Sequence, residues 1–142
     1  SPEKTVDQLV TSLFKLDADG IIDTFPKEAV NKLKEEGNWD DEYDDLVSGI
    51  ESLAQSVGDY VDLEKMCSYK ITETKDATKD EIAEIQEDYD DEGIDVKIKD
   101  AKIITVELTI NIPIYGSETD SEDIVVIKIG NSWYIDPMNF SL

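Results

Sequence analysis

Near its C-terminus the chain reads "VVIKIGNSWYIDP", and this stretch restricts the fold more than any other. A run of β-branched residues, a two-residue Gly130-Asn131 turn and a second run carrying Trp133 and Tyr134 make a tight hairpin, which Pro137 ends. The opening "SPEKTVDQLVTSLFKLD" is its helical counterpart. Ser1 caps, Pro2 takes the first helical position where a missing N–H costs nothing, and Val6, Leu9, Val10, Leu13 and Phe14 recur at helical spacing. A helix opens the chain and a strand meander closes it.

Between these ends the periodicity changes once. "LDADG" breaks the first helix, Ile21, Ile22 and Phe25 make a short second turn, and Pro26 opens a third helix carrying Ala29, Val30 and Leu33, ended by Gly37. Asn38 caps a fourth helix with Asp40, Asp41 and Glu42 in its first turn. Its buried face is expected at Tyr43, Leu46, Val47, Ile50, Leu53, Ala54 and Val57. Beyond Gly58 the period becomes two: Cys67, Tyr69 and Ile71 share one face of a strand. The capping box Thr78-Lys79-Asp80-Glu81 starts a fifth helix with a thin stripe of Ile82, Ile85 and Tyr89, expected at the edge and mostly wet. In "KIITVELTINIPI" the residues Ile104, Val106, Leu108, Ile110 and Ile112 face one way, and Thr105, Glu107, Thr109 and Asn111 the other. A loop over Gly116 to Ser121 is expected to turn this strand back into Ile124 to Ile129. The expectation is one α+β domain over 1–142, a helical part at 1–57 and a strand, helix and sheet part at 60–137, with helices on one face of an antiparallel sheet.

Composition removes several function classes. Thirteen basic against 35 acidic residues give a net charge of −22, which repels phosphate backbones and anionic lipid alike, so nucleic acid is excluded as a partner. No apolar run approaches the ~20 residues that span a bilayer. There is no histidine and one cysteine, Cys67, so an intramolecular disulfide, a Cys/His zinc site and a base-activated thiol are all unsupported. No cofactor or metal is expected. "EDYDDEGIDVKIK" places Asp88, Asp90, Glu92 and Gly93 at calcium-loop positions one, three, five and six. It then fails, with Asp95 at the eighth position where an apolar residue belongs and Lys99 at the twelfth where a bidentate Glu belongs. Helix ends and turns account for this run and for "DADG".

Taken together, "SPEKTVDQLVTSLFKLD", "GIDVKIKDAKIITVELTI" as a long bent central strand and "IKIGNSWYIDP" as a terminal hairpin resemble the nuclear transport factor 2-like, cystatin-like superfamily, in particular its small extracytoplasmic Gram-positive lipoproteins of unknown function. The resemblance implies a cone in which N-terminal helices pack on the concave face of a curved sheet, with the region 18–57 an elaboration that covers or fills its mouth. It also implies an extracytoplasmic accessory or ligand-binding or partner-binding domain, secreted or at the cell surface, monomeric or homodimeric. Opening on Ser1 rather than Met fits removal of an upstream signal segment, with or without a lipidated cysteine; a start codon just before Ser1 makes the protein cytoplasmic instead.

Catalysis on such a sheet by a His/Asp pair is closed to this chain; a Tyr/carboxylate isomerase or lyase is the alternative to binding. The inward positions Ile104, Val106, Leu108 and Ile110 carry no acid, and Glu107 points outward, so no catalytic residue is assigned. The candidates for a ligand pocket are Trp133, Tyr69 and Phe14, with Cys67, Leu108 and Ile135 as neighbours; core packing is the expected role of Trp133, since a Trp on a half-buried terminal strand more often packs than binds. Trp133 is expected inside the concave side, near Phe14. One outcome follows from charge alone. The melting temperature should rise as sodium chloride goes from ~0.01 M to ~0.15 M, because the Debye length falls from ~30 Å to ~8 Å. Micromolar calcium should add nothing beyond matched ionic strength, and a calcium-specific jump would show that an acidic cluster binds the ion.

Overall fold

The computed structural model describes residues 1–57 and 62–140, apart from the side chains of Leu53, Ala54, Ser56 and Val57. The expected contributions of Leu53, Ala54, Val57 and Gly58 therefore lie outside the described residues. The elements run α1 (Pro2–Phe14), α2 (Ala18–Ile22), α3 (Lys27–Glu35), α4 (Trp39–Val57), α5 (Leu63–Met66), β1 (Cys67–Asp76), α6 (Lys79–Asp91), β2 (Ile98–Ile112), β3 (Gly116–Ile129) and β4 (Ser132–Ile135), then a 3-10 turn at Pro137–Asn139.

Local chemistry explains most helix boundaries. The Ser1 hydroxyl accepts from the Lys4 N–H at 3.3 Å, Asp17 caps α2, and Thr78 and Glu81 exchange the two bonds of the capping box. Three helices close alike. After α1 the Asp17 N–H donates to the Ser12 carbonyl and the Leu16 N–H to Leu13, and the same pair of bonds closes α3 around Gly37 and α6 around Gly93. The left-handed residue is glycine in the last two; in α1 it is Leu16, at φ +56°. At Gly20 a Cβ would stand 2.4 Å from the Ser12 Oγ, so α2 lies against α1 only because that position has no side chain.

The sheet is an antiparallel meander in the order β1-β2-β3-β4, with α6 inserted between β1 and β2. Its two faces carry separate cores. Val6, Leu9 and Val10 of α1 and Ile50 of α4 meet Ile104, Val106, Val126 and Ile135 on one face. On the other, Ile85 and Tyr89 of α6 meet Ala101 and Ile127, joined by Ala29 and Ile94. Helices therefore cover both faces: α6 packs through Ile85 and Tyr89 on a face of the sheet and not at its edge, while most of its residues are exposed, as expected. The sequence carries the reason in the consecutive apolar run Ile124–Ile127, for a strand apolar on successive residues needs cover on both sides.

The far half of β2–β3 behaves differently. The expected loop at Gly116 to Ser121 is strand, and the reversal occurs earlier, at Pro113–Tyr115. Cross-strand pairs hold the polar ladder: Thr109 with Thr119 at 3.0 Å, Thr105 donating to Asp123 at 2.7 Å, and Ser117 donating to Asn111. From Gly116 to Asp123 β3 is exposed on both faces, so its strand geometry persists there without apolar alternation. β2 also starts earlier than its alternation suggests, at Ile98 with an irregular register at Ile98/Asp100, and the short α5, capped by Asp62, has no periodic signal to reveal it.

At the foot of the sheet stands one buried carboxylate. Asp136 is 1% exposed and accepts from the Tyr89 hydroxyl at 3.0 Å, the Met138 N–H at 3.1 Å and the Asn139 side-chain amide at 2.5 Å. Burial, then the Asp136 charge, drives the Tyr89 phenol far above its ordinary pKa.

Two substitutions test these assignments. Ile114 sits at φ +79° behind Pro113 in a turn closed by the Tyr115 N–H to the Ile112 carbonyl, the third position of a type II turn, and its side chain is 101% exposed. A β-branched residue is strained there and loses no packing on removal, so Ile114→Gly should raise unfolding free energy by about 1 kcal/mol in urea titration; a loss would show that the side chain is held by contacts. Tyr89→Phe should cost about 1 to 3 kcal/mol near pH 7, by leaving Asp136 short of a donor. The sign of its pH dependence follows from the raised phenol. The unfolded chain releases this proton near pH ~10 and the folded chain keeps it, so wild-type stability falls as pH climbs past ~10. The deficit of the variant should therefore shrink between about pH 7 and about pH 11, and a constant deficit would refute the buried, protonated phenol.

Candidate functional site: a groove beside the sheet

A hollow of about 580 Å³ lies where α2, α3 and α4 meet the residues that follow β4. Its walls come from helical spacing. Ala29, Val30 and Leu33 line it from α3; Trp39, Tyr43, Leu46 and Gly49 line it from α4 at intervals of four, three and three residues. Gly49, the last of these, brings no side chain to the hollow. Ile22, Phe25 and Ile94 complete the helical side, and Pro137, Met138 and Phe140 form the opposite wall. Asp136 turns the chain there. Its own N–H donates to the Val125 carbonyl at 3.0 Å, and the Ile135 N–H before it donates to the Thr24 carbonyl at 2.8 Å, so the wall is tied both to β3 and to the link between α2 and α3.

Aromatic rings and charges give the groove its character. Trp39 and Tyr43 stack along α4 at 6.0 Å, and Phe25 meets Phe140 across the groove at 6.0 Å. The Lys34 ammonium stands 5.0 Å from the centre of the Trp39 ring. Glu36, Glu42, Asp45 and Glu92 line the groove alongside one base, Lys32, which is itself 3.9 Å from Glu36. The Tyr43 hydroxyl donates to Asp19 at 3.3 Å, and the Asp19 charge raises its pKa, so the phenol is held protonated as a donor. Asp19 is not among the lining residues, and the bond ties α4 to α2. A second hollow of about 150 Å³ lies between α6 and the sheet.

The six residues singled out in the sequence sit elsewhere. Phe14 and Tyr69 meet edge to face at 6.0 Å, and they pack with Leu108 and Trp133 around the α1-side core, in which Ile135 is fully buried. The Tyr69 hydroxyl donates to Asp7 of α1 at 2.7 Å; burial first, then Asp7, raises its pKa. Trp133 is half-buried on that face, beside Lys128, and its carbonyl accepts from Thr5 of α1 at 3.2 Å. Cys67 begins β1 half-buried, and burial pushes its thiol up. None of the six lines either hollow.

Sequence reasoning passed over Trp39, Met138 and Phe140. Trp39 had a signal, because it extends the stripe Tyr43, Leu46, Ile50 one turn toward the N-terminus, in a segment otherwise read for its acidic cap. Met138 and Phe140 follow the last strand and have no periodicity to read. The acidic runs also find their places: Asp88 and Asp90 lie on the last turn of α6 with Glu92 as its C-cap, and Asp17 is the N-cap of α2. No family model, curated protein or solved structure matches the chain.

Proposed function

We propose that this chain is a binding domain rather than an enzyme, an extracytoplasmic accessory domain of the nuclear transport factor 2-like, cystatin-like kind, and that the α3–α4 groove is where it holds its ligand. The single observation that carries the assignment is an apolar hollow of about 580 Å³ with aromatic walls, a volume in the range that suits a small molecule. The space between α1 and the sheet, where members of that superfamily can hold a pocket, is occupied here by Val6, Leu9, Val10, Ile104 and Val106. The helices of region 18–57 instead frame a concavity at the side of the sheet. Isomerase or lyase chemistry through a Tyr/carboxylate pair has less support: among the described residues Tyr43 is the only tyrosine lining the groove, and its hydroxyl is directed at Asp19, outside it.

The test is occupancy with a neutral apolar probe. Phenylbutanol titrated into the intact protein should shift the amide and indole signals of Trp39, Tyr43 and Leu46. Gly49→Leu adds a side chain to the lining of the groove, of a type that a helix tolerates well, and should weaken binding at least about tenfold with the unfolding midpoint kept or raised. Equal affinity in that variant would remove the groove as the ligand site.

A further inference from the structure

We infer that the ligand of this groove is an apolar cation, a molecule with an alkyl or aryl body and an ammonium head; the inference rests on the groove being the binding site. The body is accounted for by the walls of Phe25, Leu33, Trp39 and Phe140. Three observations specify the charge. Among the described residues four carboxylates, Glu36, Glu42, Asp45 and Glu92, line the groove with one lining ammonium, that of Lys32, which Glu36 already holds at 3.9 Å. The chain as a whole carries −22, so an anion approaches against the field and a cation with it. The Trp39 ring also already holds an ammonium, that of Lys34 at 5.0 Å, which shows a working cation–π geometry at the groove wall. A neutral ligand uses only the walls; an anion loses at the rim.

The rim is open to solvent, so the discrimination is moderate. One or two charge contacts at ~4 Å in water give about tenfold. Phenylbutylammonium, phenylbutanol and phenylbutyrate share one apolar body and differ only at the head. At low ionic strength the ammonium should bind about tenfold tighter than the alcohol, and the carboxylate most weakly, with the gap between ammonium and alcohol closing as salt is added. Glu42→Gln with Asp45→Asn should bring the ammonium down to the affinity of the alcohol and leave the alcohol unchanged. Lys34→Gln should tighten the ammonium by removing a competing cation from Trp39. Glu118→Gln with Glu122→Gln, on β3 and away from the groove, should leave the order intact.

The two levels fail differently. Equal binding of alcohol and ammonium, both abolished by Gly49→Leu, overturns the cationic class and keeps the groove. Loss of the ammonium preference in the β3 variant also overturns it, since the field of the whole protein rather than the groove would then be selecting. Binding of every probe untouched by Gly49→Leu overturns the groove itself.

Discussion

The carboxylate of Asp136, taken out of water at the end of β4, is the interaction on which the arrangement of the layers turns. A buried carboxylate without donors is costly by several kcal/mol, so the chain around it must supply them. Tyr89 reaches it from α6, and Met138 and Asn139 from the turn that follows. The backbone on either side completes the joint, with Ile135 bonded to Thr24 and Asp136 to Val125. One residue thereby fixes α6 on one face of the sheet, the link into α3, and the course of the last segment. Among the described residues every buried side-chain nitrogen and oxygen has a partner, those of Asp136 included.

The groove is a consequence of that joint. Pro137, Met138 and Phe140 form a wall because Asp136 sets where the chain turns, and the α3 wall stands where it does because Thr24 is pinned to Ile135 just before Pro26 starts the helix. Only α4 reaches the groove without a direct tie to the joint, and Tyr43 anchors it to Asp19 on α2. The two hydrophobic cores are filled by side chains of the sheet and its helices, so the space left over lies where those helices meet the C-terminal segment.

The other end of the molecule follows a different rule. Beyond the reach of α1 and α6, β3 is exposed on both faces from Gly116 to Asp123, and β4 pairs with β3 only over Val126 to Ile129, which leaves the β3 edge open from Gly116. Between Lys102 and Lys128 the chain has five carboxylates and no basic residue. Repulsion along such an edge disfavours pairing with a second copy, a usual protection for an unpaired strand. At its tip Ile112, Ile114 and Tyr115 stand in solvent on a strained turn.

Much of the fold was legible because it is local. Ser1, Pro2, Thr78 and Glu81 act within one helical turn, Gly130-Asn131 makes its hairpin within two residues, and the alternation from Ile104 to Leu108 assigns a face from period alone. The side of the sheet that α6 takes was not legible in the same way, since Ile82, Ile85 and Tyr89 announce only that some surface covers them. Nor was the extent of β3, because Gly116 to Ser121 is composed like a loop and is a strand only through its pairing with β2. The site was less legible still: Trp39, Gly49, Met138 and Phe140 come together from separate segments, while the aromatics that the sequence brought forward, Phe14, Tyr69 and Trp133, went to the α1-side core. By itself the sequence determined most of the elements and the apolar faces of the periodic ones, because caps, turns and periodicity act over a few residues. Which faces meet, and what hollow they leave, was decided by tertiary structure, because the Tyr89–Asp136 bond joins residues distant in the chain and becomes favourable only once both are buried together.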